Sequence, residues 1–196
     1  MILGFALMGS ALLLHLHNRR EADSAGELSQ EVLHDVVQQI PEEPDEGALL
    51  LDLTPPELLD PEQMRMTEVE INGYGYIGYL SMPSLKLELP IMADWDYRRL
   101  QIAPCRYAGT LRGNNLVLMA HNYASHFGRI SELSTGDRVI FTDMDGVSTV
   151  YIVVGRDVLD PGAVEEMTAG HYDLTLFTCT YGGASRVTVY CDREME

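Results

Sequence analysis

Three residues able to drive acyl chemistry lie beside strand-like stretches in the second half of the chain. Residues 173–178 are rich in β-formers and end at Cys179. Gly182 and Gly183 supply a turn, and a second strand opens at Arg186, with Val187 and Val189 alternating with Thr188 and Tyr190. Pairing of the two strands as a hairpin would bring Cys179 and Arg186 together near the turn. A guanidinium beside a thiol favours the thiolate, and the thiolate is the nucleophile. Upstream, the apolar run 115–120 leads straight into His121 and Asn122. A histidine at the end of a buried strand stands on a rigid element facing a cleft, as general acids and bases often do. Each piece alone also has a plain reading: a core cysteine, a surface arginine, a packing histidine.

Taken together, Thr175-Leu176-Phe177-Thr178-Cys179, the later Arg186 and Ala120-His121-Asn122 resemble the sortases, the cysteine transpeptidases of Gram-positive cell surfaces. The family signature is a T-L-x-T-C strand, an arginine several residues later and a histidine ending an upstream strand. Ala120 stands where glycine is more usual. The resemblance runs from about Gly75 to Arg193. It implies an all-β fold with short helices: a closed β-barrel of about eight strands preceded by an N-terminal helix. It also implies that Cys179 is the nucleophile, His121 the acid and base, and Arg186 the group that steadies substrate carbonyl and oxyanion. Thr180, Tyr181 and Asn122 are candidates for substrate binding. The Thr180 N–H would be a second oxyanion donor, Tyr181 would shape the groove or simply pack, and Asn122 would orient His121 or cap the next turn. Thr178 should face away from Cys179. His126 reads as structural or solvent-facing.

The substrate implied by the resemblance is the C-terminal sorting signal of a surface protein or pilin, of the LPxTG or NPxTx kind. It would be cleaved after its threonine and passed from a thioacyl intermediate to an amine of cell-wall peptide or of a pilin lysine. No cofactor enters such chemistry. No metal site is expected either: there is no C-x-x-C pair, and Asp143, Asp145, Asp157, Glu165 and Glu166 read as surface carboxylates. Two other readings use the same residues: a cysteine peptidase that only hydrolyses, and a non-catalytic surface module that binds sorting peptides. Within the family the features lean towards class B-like or class D-like enzymes.

The elements that must position these residues follow from the rest of the chain. Its 196 residues suffice for one domain with extensions. A net charge of −17, from 30 acidic and 13 basic residues, argues against a nucleic-acid partner. Residues 1–17 read as a membrane anchor or signal segment. The almost wholly apolar stretch 1–16 would span about 24 Å as a helix, short of the ~30 Å hydrocarbon core. Arg19 and Arg20 follow it and nothing basic precedes it, so an upstream stretch is expected to be missing if the barrel lies outside the cell. Residues 28–40 repeat apolar positions every three to four residues, as an amphipathic helix does, and Pro41 stops it. Residues 41–66 form an acidic linker, expected to be extended; by the sortase resemblance, its apolar run 48–53 could cover the active site as a lid. Short strands with tight turns then fill the catalytic barrel, residues 67–196, and residues 156–172 form its longest connection, expected by resemblance to wall the groove. Cys105 and Cys191 are either a disulfide or two separate buried thiols.

Overall fold

The computed structural model describes residues 2–194. Nine strands form one sheet: β1 (Val69–Ile71), β2 (Tyr74–Met82), β3 (Leu87–Met92), β4 (Cys105–Ala108), β5 (Leu116–Ala120), β6 (Arg138–Asp143), β7 (Ser148–Leu159), β8 (Leu174–Cys179) and β9 (Arg186–Arg193). Their order is β1-β2-β3-β4-β5-β8-β9-β7-β6, and β6 pairs back onto β2. That last pairing closes β2 to β9 into an eight-stranded barrel, with β1 as an extra edge on the start of β2. Closure removes the exposed edges that an open sheet would have to protect. The sheet is mixed, because β3–β4 and β5–β8 run parallel. The closed barrel and the helix before it are the fold expected from the sequence.

Closure depends on Gly78. It lies at a register shift in β2, at φ +140°, and a Cβ there would stand 2.1 Å from the Thr142 carbonyl oxygen of β6. Only a residue without a side chain lets the two strands approach so closely. Leu80, Leu89, Ile91, Leu116, Leu118, Phe141, Tyr151, Leu174, Leu176 and Val189 fill the interior, each fully buried. Burial at this depth contributes about 1.5–3 kcal/mol per large apolar side chain. Leu174 and Leu176 point inward from β8, so alternation turns Thr175, Phe177 and Cys179 outward. Phe177 is nonetheless covered, because α3 (Val164–Thr168), within the β7–β8 connection, packs Met167 against it.

The segments read as membrane anchor and amphipathic helix fall on one continuous helix, α1 (Ile2–Gln39), about 57 Å long. Met1 lies outside the described residues. Ala25, Ser29, Val32, Leu33 and Val36 form the buried stripe of α1. Val32 and Val36 seat on Ile71, Tyr76, Met92 and Cys105 on the outside of the barrel wall. Toward its start Leu12, Leu13, Leu14 and Leu16 are exposed. Among the described residues no helix is long and apolar enough to cross a membrane.

Residues 41–66 are structured and held to the barrel. Asp45 caps α2 (Glu46–Asp52) by accepting from the Ala48 N–H at 2.8 Å. Arg193 pairs with Asp52, while Arg112 donates to the carbonyls of Gln63 and Arg65 and pairs with Asp145. α2 thus docks at the Arg193 end of β9. Arg186 is at the other end of that strand, roughly 23 Å away at the usual rise per residue. The apolar run 48–53 therefore does not cover Cys179.

All three cysteines are free. Cys105, at the start of β4, packs outside the barrel wall beneath α1, whereas Cys191 points into the barrel interior. The sheet itself separates the two thiols, so the bridge left open by the sequence is not made.

Candidate active site

Strand register assembles the three candidate residues. β5 and β8 run parallel with Ala120 opposite Thr178, so His121 and Cys179 each stand one step further along adjacent strands. Thr178 locks this register by donating from Oγ1 to the Ala120 carbonyl at 2.8 Å. Its side chain is buried, on the face opposite Cys179. On the other flank, β8 and β9 are antiparallel with Cys179 directly opposite Arg186. Cys179 is thus bracketed by His121 on one side and Arg186 on the other, all on the outer face of the barrel.

The three line one cleft of about 180 Å³. Tyr107, Met119 and Phe177 contribute the sheet side. Trp95, Tyr97 and Leu100 wall one margin, and Pro161, Val164 and Met167 of the β7–β8 connection wall another. Tyr107 sits edge-on to Phe177 at 5.2 Å and tilted on Trp95 at 5.6 Å. Such pairs hold a stiff apolar surface suited to an extended peptide. The sequence reading missed Trp95, Tyr97 and Tyr107 as site residues. The signal available was a solitary tryptophan with a nearby tyrosine in a polar inter-strand segment, where aromatics have no core to fill.

His121 is half-buried, and burial pushes its imidazole below the ordinary 6.5, with the Glu21 carboxylate of α1 pulling partly back. The imidazole is therefore neutral at neutral pH and able to accept a proton. Arg186 turns its Nη1 to the carbonyls of Gly183 and Ser185, both at 3.3 Å. Those bonds tether the guanidinium to the turn beside Cys179. Cys179 is the half-exposed thiol of the three. Burial pushes the Cys105 thiol up to about 12, and Cys191 is pushed up by the same cause, so both stay protonated and inert.

The other candidates lie around the cleft and do not line it. The Thr180 N–H, expected as an oxyanion donor, donates instead to the Ser185 carbonyl at 2.9 Å and closes the hairpin end. Tyr181 is 84% exposed, and its hydroxyl accepts from Asn18 of α1 at 3.5 Å. Asn122 is half-buried at the start of the histidine loop, which folds back so that Phe127 N–H reaches the His121 carbonyl at 3.2 Å. His126 in that loop is completely buried, not solvent-facing. Among the described residues no three His, Cys, Asp or Glu gather as a metal site.

Comparison with known proteins identifies the family. Residues 80–194 match the family model of the sortase domain, more than half of the chain, and the protein belongs to the sortase family. Sortase C1 of Streptococcus suis is similar at 25% identity over 62% of this chain and 74% of that one, with a TM-score of 0.54. Sortase C1 of Streptococcus agalactiae aligns over 85% of this chain and 99% of its own, at 18% identity and a TM-score of 0.64. Streptococcus pneumoniae sortase C, described for its pilin substrate specificity, aligns over 90% of each chain at 21% identity and a TM-score of 0.57. All three carry the sortase C name, and their likeness to this chain is one of fold. No curated protein matches the chain.

Proposed function

We propose that this protein is a sortase-type transpeptidase that cleaves a sorting signal after threonine and transfers the acyl part to an amine. The observation that carries the reading is the bracketing of one accessible thiol, Cys179, between a neutral imidazole and a tethered guanidinium along β5, β8 and β9. His121 takes the Cys179 proton as the sulfur attacks the threonine carbonyl carbon. Arg186 leaves its turn carbonyls to hold the oxyanion, a task suited to a fork of permanent charge. The tetrahedral adduct breaks at the C–N bond, and His121 returns the proton to the departing amine. A thioester on Cys179 remains, and a second amine resolves it.

The aromatic surface around Trp95, Tyr97 and Tyr107 supports an apolar, proline-containing signal of the LPxTG or NPxTx kind. A pilin substrate is in keeping with the pneumococcal likeness. We assign the catalytic role to residues 67–196, outside the cell, and membrane attachment to residues 1–17, in keeping with the exposed leucines of α1. Mixing the protein with sorting pentapeptides and an amine tests the reading. A transpeptide that disappears in Cys179→Ala supports it. Hydrolysis without transfer overturns the transpeptidase assignment, and a Cys179 inert to a thiol-directed peptide warhead overturns the enzyme.

A further inference from the structure

A second cleft, of about 370 Å³, opens between α1 and the histidine loop, lined by His17, Glu21 and Ser24 on the helix and by Gln101 and Tyr123 on the barrel side. We propose that this cleft receives the acceptor, a peptide bearing a primary ammonium of the lysine type, and delivers its nitrogen to His121. The inference rests on the transpeptidase reading and names the site for its second half.

Topology puts the cleft on the side where an acceptor must arrive. The thioester on Cys179 has Arg186 on its β9 flank and His121 on its β5 flank. The incoming nitrogen must come within hydrogen-bond reach of the base, so it approaches from the His121 side. β4 and β3 continue the barrel in that direction, and α1 packs across β1, β2 and β3. The barrel-side wall of the cleft is Tyr123, whose ring lies on the His121 ring with centroids 4.9 Å apart. Tyr123 lines this cleft and His121 lines the cleft at Cys179, so the two clefts adjoin at this pair of rings.

The lining suits an ammonium. Glu21 supplies a carboxylate whose only ion-pair partner among the described residues is His17, at 3.4 Å. Its charge is felt at both His121 and Tyr123. Ser24 and Gln101 add hydrogen-bonding groups, and the Tyr123 ring offers a face to a cation. Arg20 also lines the cleft and would meet a carboxylate of the acceptor, not its amine. The helical wall is fixed: Ser125 of the histidine loop donates to the Ala22 carbonyl at 3.1 Å, and a Cβ on Gly26 would lie 2.9 Å from the Ser125 Cβ. A rigid wall spares the ordering cost of binding. A net charge of −17 draws cations towards the molecule.

The step balances. The ammonium sheds one proton to solvent and its lone pair attacks the thioester carbonyl carbon. His121 takes the second proton, the C–S bond breaks, and Cys179 leaves as thiolate beside the imidazolium. An amide has replaced the thioester.

The test compares two nucleophiles at pH 8, where His121 is neutral: the ammonium of Nα-acetyl-lysine amide and uncharged hydroxylamine. The ratio of their kcat/KM values is measured for wild type, Glu21→Gln and Ser24→Trp, with one sorting pentapeptide as donor. Glu21→Gln should lower the ratio about fivefold, the scale of one partly exposed ion pair. Ser24→Trp, which fills the cleft, should lower it about tenfold or more. Ratios unchanged in a folded Glu21→Gln overturn the acceptor site even if Ser24→Trp fails to fold. A wild-type protein that forms no thioester with the donor overturns the transpeptidase reading itself, which is a different result.

Discussion

His126 should make the protein acid-sensitive in a way that one substitution removes. The ring is wholly buried under Ala25 of α1 and beside Ile102, and neither nitrogen has a partner of hydrogen-bond geometry among the described residues. Burial, with the neighbouring His121, pushes its pKa down to about 4 from an ordinary 6.5. Between those values the unfolded chain binds a proton that the native state refuses, so stability is full above pH 6.5 and falls as pH drops toward 4. Integrated from pH 7.5 to pH 5, the loss is roughly 2 kcal/mol. Asp143 works in the opposite direction. Its burial raises the carboxyl to about 6, so protonation on folding adds stability as pH falls through that value. The slope of the wild type is therefore muted, and the difference from His126→Phe isolates the histidine. Phenylalanine keeps the flat ring against Tyr123, which lies 5.5 Å away, and has nothing to protonate. Urea unfolding at both pH values should find the variant gaining about 2 kcal/mol on wild type at pH 5 relative to pH 7.5. Parallel pH profiles for the two proteins would refute a buried neutral imidazole.

Other expectations follow from the same contacts. Arg186→Lys keeps the charge but loses the fork, and transpeptidation should fall at least ~10²-fold; a rate near wild type removes the guanidinium from the oxyanion role. The acid limb of kcat/KM should lie below 6.5, because His121 stays neutral until its lowered pKa is passed; a limb above 6.5 contradicts that assignment. Gly78→Ala places a methyl group against the Thr142 carbonyl and should cost at least ~3 kcal/mol or prevent folding; an unchanged melting temperature would mean that β2 and β6 can part there freely. Iodoacetamide should label Cys179 alone in the native protein and all three cysteines after denaturation without reductant; two labels would reveal a bridge.

The residues in this sequence that could be read were those whose neighbours along the chain decide their placement. Alternation on β8 and β9 is local, so the outward direction of Cys179 and its register with Arg186 follow from the strand pattern and a two-glycine turn. His121 is legible because the apolar run before it has to end where β5 leaves the barrel. The strands β1 and β4, three and four residues long, are too short to carry a readable pattern. β4 reads Cys-Arg-Tyr-Ala, with no period to count. Its place comes from pairing with β5 and a single bridge to β3, which are long-range facts.

The N-terminal region shows the other limit. Its apolar start and its amphipathic end obey different patterns, so each was read as an element of its own, yet nothing between them stops a helix. Gly26 is tolerated within α1, and the first proline is Pro41. Continuity has a functional consequence that periodicity alone cannot show. A helix held to the barrel by Val32 and Val36 extends from there toward its start past Ser125 to Tyr181, and so reaches the histidine loop and the cysteine turn together. The same long-range packing hides His126 and brings Glu21 near His121. The Thr180 N–H is removed from the list of free donors by a bond within its own hairpin. Arg186 is then the donor whose tether can be exchanged for an oxyanion without opening the hairpin, since its bonds to Gly183 and Ser185 come from the side chain alone.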